Sequence, residues 1–247
     1  ADLVHETGML EEVKTLFVDT VGVCAVSANA NRLKCISTLA LLFQGEQSQW
    51  VAELIHEVIL ATREQSQKTR QAAHETLVAV AYKMADEDSS GGGGGEGAGG
   101  EDGMSTGGSM FHESAEVDNG QLDVYFSMVM AGLAGTSPHM ISATIGALAR
   151  LVYEFRGRVD HILTPLMHSI SLFFEQSSRE VCVAGLNFVK VCTRSMTGDL
   201  LAPCAKELIP RLLTWSADSK NMIKLKVKVL LERLVLLILV LLKKLKL

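Results

Sequence analysis

The stretch SREVCVAGLNFV, residues 178–189, carries the pattern that decides the fold. Its apolar residues Cys182, Leu186 and Val189 follow Ser178 at offsets of 4, 8 and 11. Those offsets fall on one face of an α-helix, because about 3.6 residues make one helical turn. Ser178 is well suited to cap such a helix, since its hydroxyl can accept a hydrogen bond from the backbone of the first turn. The stretch therefore predicts an amphipathic helix that begins at Ser178.

The same offsets recur at four other places in the chain. The five starting dipeptides are Asn31-Arg32, Thr69-Arg70, Ser137-Pro138, Ser178-Arg179 and Ser219-Lys220. Offset 4 holds Cys35, Ala73, Ile141, Cys182 and Ile223; offset 8 holds Leu39, Leu77, Ile145, Leu186 and Val227; offset 11 holds Leu42, Val80, Leu148, Val189 and Leu230. Successive starts are 38, 68, 41 and 41 residues apart, and the longest interval fits one repeat plus an insertion. Each leading Asn, Thr or Ser is a candidate N-cap, and Pro138 occupies the first helical position, where proline is tolerated.

A second amphipathic segment precedes each start. These segments are residues 9–25, 48–63, 121–134, 159–174 and 200–215. The repeating unit is therefore a pair of antiparallel helices about every forty residues, which is the period of HEAT and armadillo repeats. Aromatic residues make up only 5% of the chain and prolines number four, which also favours helices over strands. We predict an all-α fold: an α-solenoid of HEAT/armadillo-like helical hairpins with one long disordered insertion.

The insertion is residues 86–120. It holds the glycine run at 91–95 and nine acidic residues without one Lys or Arg. Such a composition buries too little apolar surface to offset the entropy of ordering, so we expect a disordered loop. A phosphate-binding glycine loop is disfavoured, because no strand precedes the run, no GK[ST] follows it and its charge would repel phosphate. The loop divides the chain into N-terminal repeats, residues 1–85, and C-terminal repeats, residues 121–247.

Residues that carry out chemistry are present, but none forms a recognisable catalytic or metal-binding motif. Cys24, Cys35, Cys182, Cys192 and Cys204 are odd in number and lack metal-ligand spacing, which suits a reducing compartment and small apolar core positions. His161 and His168 lie seven residues apart without a third ligand at metal spacing. Asp19, Glu53 and Glu57 are interpreted as parts of solvated helix faces. We predict no enzyme, no metal and no cofactor.

Neither end of the chain indicates a membrane segment. The N-terminus lacks a basic stretch followed by an apolar run, so no signal peptide is expected. The missing initiator methionine indicates a part of a longer protein. The apolar run at residues 234–242 is about half as long as a bilayer-spanning helix, and we predict no membrane contact.

The basic C-terminal end is the strongest candidate for a binding surface. Residues 219–247 contain eight basic residues against one acid, Glu232. Lys220, Lys224 and Lys228 follow one another at helical spacing, and Lys226 with Arg233 forms a second stripe. Such a helix could follow an RNA backbone, since phosphate contacts supply most sequence-independent affinity. The alternative is an ordinary solvated lysine face. Trp50 and Trp215 could stack on bases, although both lie in amphipathic segments and fit a core equally well.

Several stretches resemble one protein family. They are YFSMVMAGLAGTSPHMISAT at 125–144, EVILATRE at 57–64, KTRQAA at 68–73, SREV at 178–181, DSKN at 218–221 and LKVKVLLERL at 225–234. Together they resemble the ribosomal RNA-processing protein 12 family, large HEAT-repeat factors of small-subunit ribosome assembly. The resemblance covers most of residues 45–235. Beyond it, residues 235–242 read VLLILVLL where the family pattern turns polar, so the family does not fix the register of residues 235–247.

This resemblance implies a non-catalytic scaffold in the nucleus and nucleolus, with shuttling to the cytoplasm. The implied partners are pre-ribosomal RNA, small-subunit assembly factors and nuclear transport factors, with no small-molecule substrate. The implied role is to aid maturation and nuclear export of the small subunit. The alternative interpretation is a karyopherin-like or other HEAT adaptor that binds only protein.

Overall fold

The computed structural model describes residues 9–20, 22–42, 48–90, 120–176, 178–217 and 221–245. These residues form ten α-helices and no strand. The helices are α1 (Met9–Asp19), α2 (Asn29–Leu42), α3 (Ser48–Ala61), α4 (Gln67–Ser90), α5 (Gly120–Met130), α6 (Pro138–Glu154), α7 (Asp160–Gln176), α8 (Arg179–Ser195), α9 (Gly198–Ala217) and α10 (Asn221–Leu245). Short 3₁₀ helices at Val26–Ala28 and Ala131–Ala134 precede α2 and follow α5.

The ten helices follow one another as five pairs, α1–α2 to α9–α10, and the two helices of each of the last four pairs pack against each other. The even-numbered helices stack on one another in chain order from α2 to α10, and the odd-numbered helices form the neighbouring layer. One continuous apolar core runs between the two layers from Ala30 to Leu234. Because each pair buries its apolar face against the pairs beside it, the architecture is an α-solenoid. The predicted all-α solenoid is confirmed.

The apolar offsets identify the buried face in four of the five repeats. Offsets 8 and 11 are buried throughout helices α4, α6, α8 and α10: Leu77, Val80, Ile145, Leu148, Leu186, Val189, Val227 and Leu230. At offset 4, Ala73, Cys182 and Ile223 are buried and Ile141 is half-buried. The solenoid core therefore follows directly from the repeat pattern in these helices.

The prediction for helix α2 is wrong at offsets 4 and 8, and the Leu42 side chain at offset 11 lies outside the described residues. Cys35 is exposed and Leu39 is only half-buried, whereas Leu33, Ile36 and Ala40 face the core. This helix is apolar on more than one side, so the offset pattern alone does not distinguish its faces. A count that begins at Asn29, where α2 begins, places Leu33 and Ala40 at offsets 4 and 11 and gives a spacing of 40 residues to Thr69.

Two of the expected N-caps are confirmed. The Ser137 hydroxyl accepts from the Met140 backbone N–H at 3.1 Å, and the Ser178 hydroxyl accepts from the Val181 N–H at 3.4 Å. Thr69 is not a cap, because it lies inside α4 and its N–H is instead bound by the Ser66 hydroxyl at 3.3 Å. Asn31 likewise lies inside α2, and Ser219 lies outside the described residues.

The boundaries of the predicted insertion differ from the structure at both ends. Helix α4 continues to Ser90, five residues beyond Ala85, where the N-terminal repeats were expected to end. Helix α5 begins at Gly120, the last residue assigned to the loop. Residues 91–119, the glycine-rich and acidic part of the insertion, lie outside the described residues.

The stretch YFSMVMAGLAGTSPHMISAT packs the centre of the solenoid. Tyr125 and Phe126 are fully buried in α5, and the Tyr125 hydroxyl donates to the Leu77 carbonyl of α4 at 3.0 Å. The turn after α5 passes so close to α6 that a Cβ on Gly132 would overlap the buried Thr144 hydroxyl. Glycine is therefore required there by a close approach of two elements. This part of the family resemblance is therefore explained by packing in the core.

Charged residues connect neighbouring repeats. Glu180, in the first turn of α8, accepts hydrogen bonds from Ser142 of α6 at 2.8 Å and from Arg63, after α3, at 2.7 Å. These two hydrogen bonds lower the pKa of the Glu180 carboxyl from its ordinary value. One carboxylate thus links the second, third and fourth helix pairs.

The interpretation of Glu57 as part of a solvated face is wrong. Its carboxylate pairs with Arg32 at 2.6 Å, and the Arg32 side chain is only 7% exposed. Sequence periodicity treats both residues as polar and cannot show that they meet, because α2 and α3 belong to neighbouring helix pairs and approach each other only in the folded protein. Asp19 is exposed as expected, and the side chain of Glu53 lies outside the described residues.

Candidate nucleic-acid interface

The candidate interface lies on α10, the last helix of the solenoid. Its sequence places apolar residues at helical spacing, and Ile223, Val227, Leu230 and Leu234 are buried against the preceding repeats. The packing partners are α8 and α9. The helix continues unbroken to Leu245, and Leu237 and Ile238 also pack against the core. The apolar run that departs from the family pattern therefore extends the register of the same helix.

The candidate basic residues form two separate pairs. Lys224, Lys226 and Lys228 are exposed, and Arg233 is half-buried. At about 100° per residue, Lys224 and Lys228 share one flank of the helix, while Lys226 and Arg233 share nearly the opposite flank. Lys220 lies outside the described residues. The structure thus keeps the two stripes of the sequence prediction but separates them by about half a turn of the helix.

Little negative charge offsets these pairs. Glu232 is the only acid of α10, and its carboxylate lies 3.9 Å from the Lys228 ammonium. Both side chains are mostly exposed, so the pair contributes little to stability. The lysines of α10 are therefore available to an anionic partner at small energetic loss.

An exposed apolar stripe between the two basic pairs was missed by the sequence analysis. Leu225, Val229, Leu236 and Val240 lie on the side of α10 opposite the core, and Leu225 and Leu236 are 63% and 62% exposed. The signal was visible in the sequence, because these residues also recur at helical spacing.

The buried cysteines are structural, as predicted. Cys182, Cys192 and Cys204 are buried in α8 and α9. Burial raises the pKa of Cys182 to about 11 and also raises the pKa of Cys192 and of Cys204. A raised pKa removes the reactive thiolate at neutral pH. Cys24 is half-buried, and the core assignment of Cys35 is wrong because the face of α2 that carries it is exposed.

Thiol labelling is expected to separate these groups. In native protein at pH 8, iodoacetamide should modify Cys35 rapidly and leave Cys182 and Cys192 unmodified until the protein unfolds, because only exposed thiolates react. Substitution Cys182→Ala should reduce the free energy of unfolding by about 1 kcal/mol. Peptide mass mapping over a time course measures the rates. Fast modification of all five thiols in folded protein would contradict the structural assignment.

Two histidines form bridges between helices of the odd-numbered layer. The His161 Nε2 atom of α7 lies 2.8 Å from the Asp123 carboxylate of α5, and the His168 Nδ1 atom lies 2.7 Å from the Glu207 carboxylate of α9. Each pair links neighbouring repeats. Among the described residues, no three His, Cys, Asp or Glu side chains are grouped to hold a metal ion.

Trp215, one of the two residues considered for base stacking, packs against the apolar core. Trp215 is half-buried, and its ring lies 5.8 Å from the ring of Phe174. It therefore packs between α7 and α9. The side chain of Trp50 lies outside the described residues.

Within the described helices, none is both long and apolar enough to cross a bilayer.

Comparison with known proteins confirms the family resemblance. The chain is homologous to a segment of Ribosomal RNA-processing protein 12 of Saccharomyces cerevisiae, with 30% identity over 227 residues that cover 92% of this chain and 18% of the relative. Putative ribosomal RNA-processing protein 12 of Schizosaccharomyces pombe is 27% identical over 228 residues, which cover 91% of this chain and 18% of that protein. The chain thus spans less than one fifth of the length of these relatives. No family model matches the chain.

A solved structure of a designed armadillo repeat protein is also similar to the chain. It is 12% identical, covers 94% of this chain and 85% of its own, and superposes with a TM-score of 0.44. The solenoid assignment itself rests on the stacked helix pairs described above.

Proposed function

We propose that this chain is a non-catalytic scaffold in ribosome biogenesis that binds pre-ribosomal particles through ribosomal RNA and assembly factors. In this role it aids small-subunit maturation and nuclear export, and it resides in the nucleus and nucleolus, with shuttling to the cytoplasm and contacts to nuclear transport factors. Homology to relatives named ribosomal RNA-processing proteins supports a role in ribosome biogenesis. Because those relatives are about five times as long as this chain, it contributes one segment of such a scaffold.

The observation that carries RNA contact is the exposed positive charge of α10. Lys224, Lys226 and Lys228 extend into solvent from the two flanks of a helix whose third side is buried, and Glu232 lies near Lys228. Their charge is therefore not used by the fold. Lysines in this position neutralise phosphates and release counterions, which gives an affinity that depends on salt and little on sequence.

A protein-only adaptor is the second candidate. The exposed stripe of Leu225, Val229, Leu236 and Val240 favours it, because phosphate groups gain nothing from apolar side chains. The two candidates predict different responses to charge reversal, so one binding series separates them.

Charge reversal on α10 is expected to weaken RNA binding. The double variants Lys224→Glu with Lys228→Glu, and Lys226→Glu with Arg233→Glu, should each reduce affinity for structured ribosomal RNA by roughly tenfold or more at 0.1 M salt. If both residues of a pair contact phosphate, the slope of log K against log salt should flatten by about 1.8. Helical content should not change, since the three lysines are exposed and Arg233 lies at the edge of the buried face.

Filter binding over a salt series makes this measurement. The matched control is Lys34→Glu with Lys68→Glu, which changes the net charge equally at exposed positions of α2 and α4. The control should retain most of the RNA affinity. If both α10 variants bind RNA as well as the parent at low and at physiological salt, the lysines form a solvated face and the protein-only adaptor is the better proposal.

A further inference from the structure

A positively charged surface lies on the neighbouring helices α6 and α8, in the interior of the stack. We call it the α6–α8 surface, and its exposed side chains are Arg150, Tyr153, Arg156, Asn187, Lys190 and Arg194. Helix α6 packs against α4 and α8, α8 packs against α6 and α10, and helices of the odd-numbered layer cover another side of both. A further repeat would extend the stack beyond α10. These side chains are therefore exposed on helices that already have a neighbour on either side.

Helical spacing brings the side chains to one face. Two sets recur at intervals of three and four residues, which keeps each set on one side of its helix: Gly146, Arg150 and Tyr153 in α6, and Asn187, Lys190 and Arg194 in α8. Tyr153 and Arg194 each lie 16 residues after the serine that caps their helix. They occupy equivalent positions on packed helices, whose axes are about 8–10 Å apart. A Cβ at Gly146 would meet no atom within 4 Å, so the face is open beside them.

Positive charge predominates on the α6–α8 surface. Helices α6 and α8 contain one acid each, Glu154 and Glu180. Glu154 lies 2.7 Å from Arg150, and Glu180 lies in the first turn of α8, at the other end from Lys190 and Arg194. Among the described residues, neither Lys190 nor Arg194 forms an ion pair. The acids that follow these helices in the chain belong to first turns of the odd-numbered layer: Asp160 and Asp199.

The Tyr153 ring adds a flat stacking surface to this charge. The side chain is 48% exposed. The Arg156 guanidinium lies 5.5 Å from the centre of the ring, a cation–π contact that restrains it. A restrained ring loses little side-chain freedom when a partner stacks on it. Aromatic rings that stack on bases, beside basic residues that contact phosphates, are typical of proteins that bind single-stranded nucleic acid.

We propose that the α6–α8 surface binds unpaired RNA. A base stacks on the Tyr153 ring, and Arg150, Lys190 and Arg194 contact the phosphates beside it. Duplex RNA offers phosphates but hides its base faces, and an acidic peptide would use the charge without the ring. The inference rests on the proposed contact with ribosomal RNA and adds a site that is separate from α10.

The test uses the full chain and a labelled RNA of about 12 nucleotides without self-complementarity. Tyr153→Ala should weaken binding of this single strand at least about fivefold, because stacking on the ring is lost. Binding of a duplex of the same length should not change. Tyr153→Phe is the matched control, since it keeps the ring and should bind the single strand like the parent. Fluorescence anisotropy measures affinity, and circular dichroism should show the same helical content throughout, because the ring is half exposed.

A second pair of variants tests the charge. Lys190→Gln with Arg194→Gln should weaken single-strand binding about fivefold or more and, if both residues contact phosphate, flatten the slope of log K against log salt by about 1.4. Glutamine is used because an acid near the C-terminus of α8 would oppose the helix dipole. The matched control, Lys34→Gln with Lys68→Gln, removes the same charge at exposed positions of α2 and α4 and should retain binding.

The outcomes separate this proposal from the one for α10. The loss caused by Tyr153→Ala should persist when Lys224 and Lys228 are both changed to Glu, because the two surfaces are separate. If Tyr153→Ala binds the single strand like the parent, the α6–α8 surface is not an RNA site, whatever the α10 variants show. If a glutamate-rich peptide displaces the RNA and Tyr153→Ala affects neither ligand, the surface binds an acidic protein segment and the proposal is wrong. A parent chain that binds no RNA would overturn both proposals.

Discussion

Substitution Arg32→Met is expected to reduce the free energy of unfolding by about 3–5 kcal/mol, because it leaves a partly buried carboxylate without its partner. The Arg32 guanidinium binds Glu57 at two points, with its Nε 2.6 Å from Oε1 and one Nη 2.9 Å from Oε2. It also donates to the Thr20 hydroxyl at 2.7 Å and to the Phe17 carbonyl. These contacts join α1, α2 and α3, so the loss should loosen the whole N-terminal end of the solenoid.

A double-mutant cycle measures the interaction itself. Arg32→Met, Glu57→Leu and the combined variant are compared by urea denaturation, and the combined variant should be more stable than Arg32→Met alone, because no unpaired charge remains. Arg63→Met is the matched control. It removes the ion pair between Arg63 and Glu180, whose N···O distance of 2.7 Å is similar. Both of these side chains are more than one third exposed, so we expect a loss below about 1 kcal/mol in the free energy of unfolding. Equal losses for Arg32→Met and Arg63→Met would contradict the role of burial.

The ion pair between Arg32 and Glu57 is a feature of the fold that helical spacing in the sequence does not predict. Offsets of 8 and 11 predicted the buried residues of α4, α6, α8 and α10, because helical geometry converts spacing into direction without knowledge of neighbours. In α2 the apolar residues are spread over more than one face, so the face that packs against the core depends on the helices beside it. Arg32 is held at the edge of the core by Glu57 of the next helix, and no local pattern in α2 predicts that contact.

The candidate interface on α10 also has one part that the sequence predicts and another that it does not. Helical spacing was enough to predict that Lys224 and Lys228 share one flank of α10 and that Lys226 and Arg233 share another. The apolar groove that Leu213 of α9 lines together with Leu231 and Val235 of α10 was not predictable from α10 alone, because α9 supplies one of its walls. A binding surface shared by two helices requires their packing to be known, whereas a stripe on one helix requires only its period.

Substitution Tyr125→Ala is expected to reduce the free energy of unfolding by about 3–5 kcal/mol. The side chain is fully buried in α5, beneath α4, and truncation removes its apolar contacts and leaves a cavity. It also removes the hydrogen bond to the Leu77 carbonyl at 3.0 Å. The matched control is Tyr153→Ala on α6, where the ring is 48% exposed and the loss should stay below about 1 kcal/mol.

Tyr125→Phe separates the hydroxyl from the ring. It keeps the packing and removes only the hydrogen bond to Leu77, for an expected loss of about 0.5–1.5 kcal/mol.

Burial raises the pKa of the Tyr125 hydroxyl, so the folded protein holds this proton more tightly than the unfolded chain. Its contribution to stability is therefore complete below about pH 10 and is lost as the pH rises above that value, by up to about 1.4 kcal/mol per pH unit. The Phe variant should lose less stability than the parent between about pH 10 and 11, measured by urea denaturation at each pH. Identical alkaline profiles would mean that the Tyr125 hydroxyl is accessible to water, and equal losses for Tyr125→Ala and Tyr125→Phe would mean that the ring is not packed as the structure has it.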